Sequence, residues 1–146
     1  MTTPLVRDVT ERDASAVARL CTQLGYQTSA DVIPERVARI AGDPNARAIL
    51  AELPSQNAAV GLATIHVRHT LNHAAPLAQL TLLVVDESVR GTGVGRAIVA
   101  EAERWARERG CHRIVVTTAL RRVDAHAFYE RVGYTHTGRR YAKDFE

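Results

Sequence analysis

The sequence predicts a single α/β domain in which helices cover a mixed β-sheet. Two observations support this fold class. Short apolar segments typical of strands recur along the chain, and from residue 77 onward they alternate with amphipathic helical patterns. The 146 residues, 46% of them hydrophobic and 24% charged, suffice for one core and are too few to expect a second. We therefore expect one domain over residues 1–146, with about six to seven strands and about four helices.

The first elements in the chain are a strand and two helices. Residues 5–10 (LVRDVT) have the pattern of a short strand. Thr10 and the acidic Asp13 three residues later resemble a capping box, which predicts a helix from there to Gly25. A second, shorter helix fits residues 34–42 (PERVARIAG), with proline in its first turn and glycine at its end.

Three strands are predicted next. Residues 46–53 (ARAILAEL) and 59–70 (AVGLATIHVRHT) flank the turn-rich PSQNA and therefore predict a β-hairpin. Residues 77–86 (LAQLTLLVVD) form a continuous apolar run, which is typical of a strand buried on both faces.

The last part of the chain alternates helix and strand. Apolar residues line one stripe of residues 94–109 and charged residues line the other side, so this segment has the strongest helical pattern in the chain. A buried strand at 113–119 (RIVVTTA) and a short helix at 124–132 (DAHAFYERV) follow. Residues 134–145 predict a final hairpin that turns near Gly138.

Composition narrows the class of protein. No run approaches the ~18 apolar residues of a membrane span, and acidic residues stand where a signal peptide would be apolar, so we expect a cytoplasmic protein. The net charge of +3 comes from scattered arginines without a basic stripe, so we expect no nucleic-acid or membrane partner. The two cysteines, Cys21 and Cys111, are too far apart for a disulfide framework or a cysteine-based zinc cluster, and we expect no metal.

The glycine-rich turn VRGTGVG between a predicted strand and a predicted helix indicates an anion site. Free backbone N–H groups and the positive end of a helix dipole meet in such a turn, and glycines allow an anion to approach closely. The spacing excludes two common phosphate motifs. The dinucleotide fingerprint requires a glycine where Arg96 or Ile98 stands, and the Walker motif requires a glycine at Arg96 followed by lysine.

The pattern R-x-x-G-x-G does match, from Arg90 to Gly95, and the segment AHAFYERVGY lies some thirty residues further on. With these two motifs the chain resembles the GNAT superfamily of acetyl-CoA-dependent N-acetyltransferases. The strand LTLLVVD, the helix AIVAEAERWARERGC and the strand RIVVTTA follow the superfamily's order. The resemblance covers the chain from about residue 46 to its end and implies the GNAT fold.

The resemblance implies a coenzyme A site. The N–H groups from Arg90 to Arg96 would hold the pyrophosphate, and the strand from Leu83 to Val85 would bind the pantetheine arm, with one N–H polarising the thioester carbonyl. The thioester would lie where two central parallel strands splay apart, here those that end at Val85 and Thr118. The residues so assigned are Leu83, Val84, Val85, Arg90, Gly91, Thr92, Gly93, Val94, Gly95 and Arg96, together with Arg122.

The resemblance also implies the chemistry. A neutral amine would attack the acetyl carbon directly, and Tyr129 matches the tyrosine that protonates the leaving thiolate. Phe128, which points to a different helix face, fits a core position better than Tyr129 does. Many relatives carry an asparagine seven residues before the tyrosine, where Arg122 stands here; its side chain would contact the cofactor or face solvent.

The general base stays open at the level of the sequence. Relatives often use a carboxylate on the strand before the glycine turn, whereas LAQLTLLVV contains none. The remaining candidates are His66, His69, His73, Glu52 and a chain of water molecules, and histidine titrates in the appropriate range. If the strand prediction is right, His66 and His69 lie on opposite faces of it.

The leading functional hypothesis is therefore transfer of an acetyl group from acetyl-CoA to a primary amine of a small molecule or peptide. A small molecule is favoured because the short chain contains no further recognition segment. The alternative is a noncatalytic acyl-CoA-binding module or sensor on the same fold, which the missing strand carboxylate favours. Relatives commonly form homodimers, and the C-terminal hairpin is a candidate contact.

Overall fold

The computed structural model describes residues 3–117 and 123–145, and the strands among them form a five-stranded sheet. The strands, which follow one another in the sheet in chain order, are β1 (Leu5–Asp8), β2 (Ala46–Leu53), β3 (Ala58–Arg68), β4 (Leu77–Val85) and β5 (Arg113–Val116). The first four strands pair antiparallel with their neighbours. The helices are α1 (Ala14–Leu24), α2 (Ile33–Ala41), α3 (Val94–Glu108) and α4 (Val123–Arg131). The predicted α/β fold is confirmed.

The chain divides into two compact units, residues 1–115 and 116–146. The first unit contains β1 to β4 and α1 to α3, and the second contains α4 and the segment that follows it. The first four strands begin and end within two residues of their predicted bounds. That the whole chain acts as one domain stays a prediction.

The start of α1 is fixed by the predicted capping residues. The backbone N–H of Thr10 donates a hydrogen bond of 2.8 Å to the Asp13 carboxylate, which also receives two hydrogen bonds from Arg7. These donors lower the pKa of Asp13 to about 2, Arg7 being the largest cause. A single 3₁₀ turn lies between Thr10 and the first residue of α1. The helix ends at Gly25, which has a left-handed backbone conformation, as predicted.

Both faces of the sheet carry a core. Helices α1 and α2 cover one face, where their apolar residues pack with one residue from each of three strands: Leu50, Leu62 and Val84. Cys21 packs against this cluster, and burial raises the pKa of its thiol, as expected of a core cysteine rather than a nucleophile. Helix α3 lies against the opposite face, next to Gly61 of β3.

A β-bulge interrupts the pairing of β3 with β4 at Thr81. Thr64 pairs with Leu82, but the next residue of β3, Ile65, pairs with Leu80, so Thr81 has no partner of its own. A bulge adds one residue to a strand and reverses the faces beyond it. Leu82 accordingly packs on the α1 and α2 side, whereas Leu80 lies opposite Ile65 on the α3 side.

The predicted C-terminal hairpin is wrong. Residues 134–145 contain no strand, and all but Tyr134 are exposed, including Tyr141 and Phe145. Most residues of this segment are polar or charged, so a hairpin made from it would have no continuous apolar face to bury, and an isolated hairpin is marginal in water. The sheet accordingly has five described strands instead of six to seven.

Candidate active site

A short turn connects β4 to the glycine-rich segment. Asp86 follows β4 and accepts hydrogen bonds from the backbone N–H (3.0 Å) and the hydroxyl (2.9 Å) of Ser88. Val89 is buried and anchors the turn, and its carbonyl accepts a hydrogen bond of 2.5 Å from the Thr92 hydroxyl. The chain then reaches Gly93, which directly precedes α3.

The turn has the geometry of an anion site. Gly91 and Gly93 have φ values of 80° and 97°, which side-chain-bearing residues rarely adopt. The first N–H groups of α3 have no partner within the helix, and no other described residue accepts a hydrogen bond from the N–H of Val94, Gly95 or Arg96. A Cβ atom added at Gly93 would meet no atom within 4 Å, so the space beside this residue, which directly precedes the three donors, is open. The predicted phosphate-binding residues therefore come together at one helix N-terminus.

The two arginines of the motif lie at the edges of this turn, and both are exposed. The Nε of Arg90 donates a hydrogen bond of 3.3 Å to the carbonyl of Val85, the last residue of β4. This contact joins the predicted pyrophosphate segment to the predicted pantetheine segment, so the structure brings both halves of the predicted cofactor site together.

Helix α1 supports the turn from the side. Arg19 forms an ion pair with Asp86 and donates a second hydrogen bond of 2.7 Å to the carbonyl of Ala59 on β3. The Gln23 side chain accepts a hydrogen bond of 3.1 Å from the backbone N–H of Glu87. The N–H and hydroxyl of Ser88, together with Arg19, lower the pKa of Asp86 to about 2. No local pattern in the sequence indicates these contacts, because 67 positions separate Arg19 from Asp86.

The β4 bulge brings three polar side chains together on the sheet face that α1 and α2 partly cover. The hydroxyl oxygens of Thr64 and Thr81 lie 2.7 Å apart, and Nδ1 of His66 lies 3.1 Å from the Thr81 hydroxyl. We call these three residues the His66 cluster. His66 was a candidate base from the sequence, whereas the two threonines were not identified. The only sequence signal was a threonine within the apolar run of β4.

The other candidate bases have different surroundings. The Glu52 carboxylate pairs with Arg7 at 2.5 Å. His69 is exposed beyond the end of β3. Nδ1 of His73 lies 3.2 Å from the Thr70 hydroxyl, and its ring lies 4.6 Å from that of His112. In the described part of the chain, none of these three side chains forms a hydrogen bond or ion pair with the His66 cluster.

Tyr129 lies on α4, in the second unit. Its side chain is buried, at 9% exposure, whereas Phe128 on the same helix is only partly buried. The expectation that Phe128 fits a core position better than Tyr129 is therefore wrong. The Tyr129 ring lies 5.4 Å from that of Phe128 and 5.7 Å from that of Tyr134, so an aromatic group holds it. Arg122 and Thr118 lie outside the described residues.

Residues 3–117 and 123–145 contain no helix that is long and apolar enough to cross a membrane. No group of three or more histidine, cysteine, aspartate or glutamate side chains there is arranged to hold a metal ion.

Solved structures share this fold over nearly the whole chain. The aminoglycoside N-acetyltransferase AAC(6')-Iy in complex with CoA has a TM-score of 0.86 at 20% identity, and the match covers 99% of this chain and 96% of that one. A transcriptional regulator from Bacillus halodurans C-125 also gives 0.86, at 25% identity, covering 98% of this chain and all of the other.

Two sequence relatives are acetyltransferases. An aminoglycoside N(6')-acetyltransferase type 1 from Stenotrophomonas maltophilia is 30% identical over 93% of this chain and 89% of its own length. An aminoalkylphosphonate N-acetyltransferase from Salmonella typhimurium is 31% identical over 94% of this chain and 89% of its own. The profile of the acetyltransferase (GNAT) family matches residues 15–134. The chain therefore belongs to the GNAT family and is an acetyl-CoA-dependent N-acetyltransferase.

Proposed function

We propose that this enzyme transfers the acetyl group of acetyl-CoA to a primary amine of a small molecule by direct attack, without an acyl-enzyme. The names of both sequence relatives support a small acceptor, since one acts on aminoglycosides and the other on aminoalkylphosphonates. These acceptors share an amine and differ in charge. We therefore assign the class of acceptor, a small primary amine, and leave its other substituents open.

The observation that carries the proposal is the open N-terminus of α3 directly after β4. The N–H groups of Val94, Gly95 and Arg96 are available to an anion, and the exposed Arg90 and Arg96 add positive charge. We assign the coenzyme A pyrophosphate to this turn and the pantetheine arm to Leu83, Val84 and Val85. Acetyl-CoA then supplies the activated acyl group, and a backbone N–H of this strand polarises its carbonyl.

Tyr129 is the proposed proton donor to the departing sulfur. A thiol has an ordinary pKa of about 8.5, so a thiolate leaves more readily when a positioned acid protonates it. The aromatic group around Tyr129 supports this role by restricting the ring's orientation. The splay of the central strands, the contribution of Arg122, the homodimer and the cytoplasmic location stay predictions.

The testing experiment incubates the purified protein with acetyl-CoA and a panel of amines and follows release of free thiol. The panel contains aminoglycosides, aminoalkylphosphonates, simple alkylamines, amino acids and a lysine-containing peptide. Thiol release with a small amine, with mass spectrometry of the N-acetyl product, supports the proposal. Acetylation of the peptide alone overturns the small-molecule acceptor. Binding of acetyl-CoA without acetylation of any amine favours the noncatalytic sensor instead.

A further inference from the structure

We propose that His66 is the general base that deprotonates the acceptor amine, and that Thr81 on the β4 bulge positions it. This inference rests on the proposed function, because it assumes that an amine attacks a thioester held beside Leu83. It selects one residue where the sequence left several candidates open.

The contacts in the His66 cluster restrict the imidazole ring. Nδ1 of His66 lies 3.1 Å from the Thr81 hydroxyl, which in turn lies 2.7 Å from the Thr64 hydroxyl and 3.3 Å from the Thr64 carbonyl. When Nδ1–H donates to Thr81, the Thr81 hydroxyl donates onward to Thr64. Nε2 then carries the lone pair that a base requires.

The residues directly opposite His66 on the two neighbouring strands are uncharged. The register places Ala46 of β2 and Gln79 of β4 opposite His66. Arg68 is the charged residue two positions further along β3, on the same face. His66 is half-buried and Thr81 is exposed, so an acceptor can reach the cluster from solvent.

The distance along the sheet from His66 to Leu83 agrees with the distance that the reacting groups would span. Three rows of the ladder separate His66 from Ala63, the partner of Leu83, which corresponds to about 10 Å of strand. A carbonyl bound to a β4 N–H lies about 3 Å from that nitrogen, an attacking amine approaches the carbonyl carbon to about 3.5 Å, and a base reaches the amine over about 3 Å. Together with the carbonyl bond itself, these three contacts join the β4 nitrogen to the base over about 10 Å.

The bulge explains why Thr81 can take part. In a regular strand, Leu80 and Leu82 would share one face and Thr81 would point to the other. The extra residue places both Leu82 and the Thr81 hydroxyl on the face of Thr64 and His66. Bulges redirect side chains in this way beside active sites.

The proton balance is complete without another reactant. An acceptor ammonium gives one proton to Nε2 of His66, and the resulting amine attacks the acetyl carbon while the carbon–sulfur bond breaks. The thiolate takes a proton from Tyr129, the new amide nitrogen loses its second proton to restore that tyrosine, and His66 releases its proton to water. The products are the N-acetylamine, free coenzyme A and one proton.

The test compares wild type, His66→Gln and His136→Gln with an amine that the wild type acetylates, between pH 7 and pH 10. We expect His66→Gln to lower kcat about 100-fold at pH 7, with the acetyl-CoA-induced rise in Tm unchanged. The deficit should shrink as the pH rises through the pKa of the amine, because a neutral amine needs no base. His136, which is exposed on the C-terminal segment, serves as the histidine control.

Thr81 variants test the positioning role. Thr81→Val should lower kcat about tenfold at pH 7 with the same pH-dependent recovery, and Thr81→Ser, which keeps the hydroxyl, should restore it. The assignment would be overturned if His66→Gln kept the kcat of the wild type, or if its loss of kcat did not change with pH. It would also be overturned if His69→Gln or His73→Gln lost kcat instead. A wild type that binds acetyl-CoA but acetylates no amine would overturn the proposed function and this inference with it, whereas an active wild type with a fully active His66→Gln would overturn this inference alone.

Discussion

Gly61 of β3 lies directly against Ile98 of α3: a Cβ atom added to the glycine would lie 2.5 Å from the Ile98 Cδ1 atom and 3.1 Å from a methyl group of Val94. Both neighbours are buried in the helix that begins at the glycine turn. The present packing of this helix against the sheet therefore leaves no room for a side chain at position 61, and the helix residues in contact with Gly61 belong to the first two turns after the proposed pyrophosphate site.

Gly61→Ala should destabilise the protein by about 1–3 kcal/mol, because the added methyl group overpacks a closed core. Thermal and urea unfolding measure this change. Ile98→Val removes the Cδ1 atom that clashes, so we expect the double variant to be more stable than the sum of the two single changes predicts. Additive changes would show that the Gly61 contact does not limit the packing of α3.

Gly93→Leu should abolish the rise in Tm that acetyl-CoA produces in the wild type. A ligand at 100 times its Kd stabilises the native state by about 2.7 kcal/mol, and a side chain at Gly93 would enter the open space before the α3 N-terminus. Gly25→Leu is the matched control, because Gly25 also has a positive φ and open surroundings but ends α1. Both variants should lose intrinsic stability, and only Gly93→Leu should lose its response. A response retained in Gly93→Leu would contradict the proposed site.

Asp86→Asn should lower stability at neutral pH and lose that effect in acid. The pKa of Asp86 is about 2 in the folded protein, below the ordinary value of 3.8, because the Ser88 N–H and hydroxyl and Arg19 favour the carboxylate. This stabilisation is present above about pH 4 and is lost as the pH falls toward 2. The difference in Tm between wild type and Asp86→Asn should therefore narrow between pH 5 and pH 2.

The control for Asp86 is Glu35→Gln, whose carboxylate pairs with Arg39 on the exposed face of α2. Exposed pairs of this kind contribute little to stability, so this variant should follow wild type at every pH. A Tm difference for Asp86→Asn that stays constant from pH 7 to pH 2 would show that the carboxylate charge does not stabilise the turn.

Tyr129→Phe should lower kcat about 100-fold while the Tm response to acetyl-CoA is kept, because only the proton donor is removed. Tyr141→Phe is the control, since Tyr141 is 86% exposed. Both are measured as thiol release with an accepted amine. Full turnover in Tyr129→Phe would remove this tyrosine from the mechanism.

Local signals in the sequence predicted most of the fold. The hairpin of β2 and β3 and the helix α3 have periodic apolar residues bounded by glycine or turn residues, and the structure confirms them. The glycine turn was identified because its signal lies within seven consecutive residues. The C-terminal hairpin was mispredicted because turn residues alone do not provide an apolar face.

The supporting contacts of the site could not be predicted in the same way. The Arg19–Asp86 ion pair and the His66 cluster depend on which strands are neighbours and in which register, and the residues involved are distant in sequence. The bulge was missed because a continuous apolar run shows no alternation from which a change of face can be detected.

The bulge makes β4 one residue longer than its pairing with β3 requires. The nine residues of β4 lie along eight residues of β3, and Thr81 is the one without a partner. A chain that lacked Thr81 would leave Leu80 opposite Ile65 and Leu82 opposite Thr64, so every apolar side chain would keep its present face in a regular ladder. The core therefore does not require Thr81. Deletion of this one residue would remove the proposed contact with His66 and leave the burial of the apolar side chains unchanged.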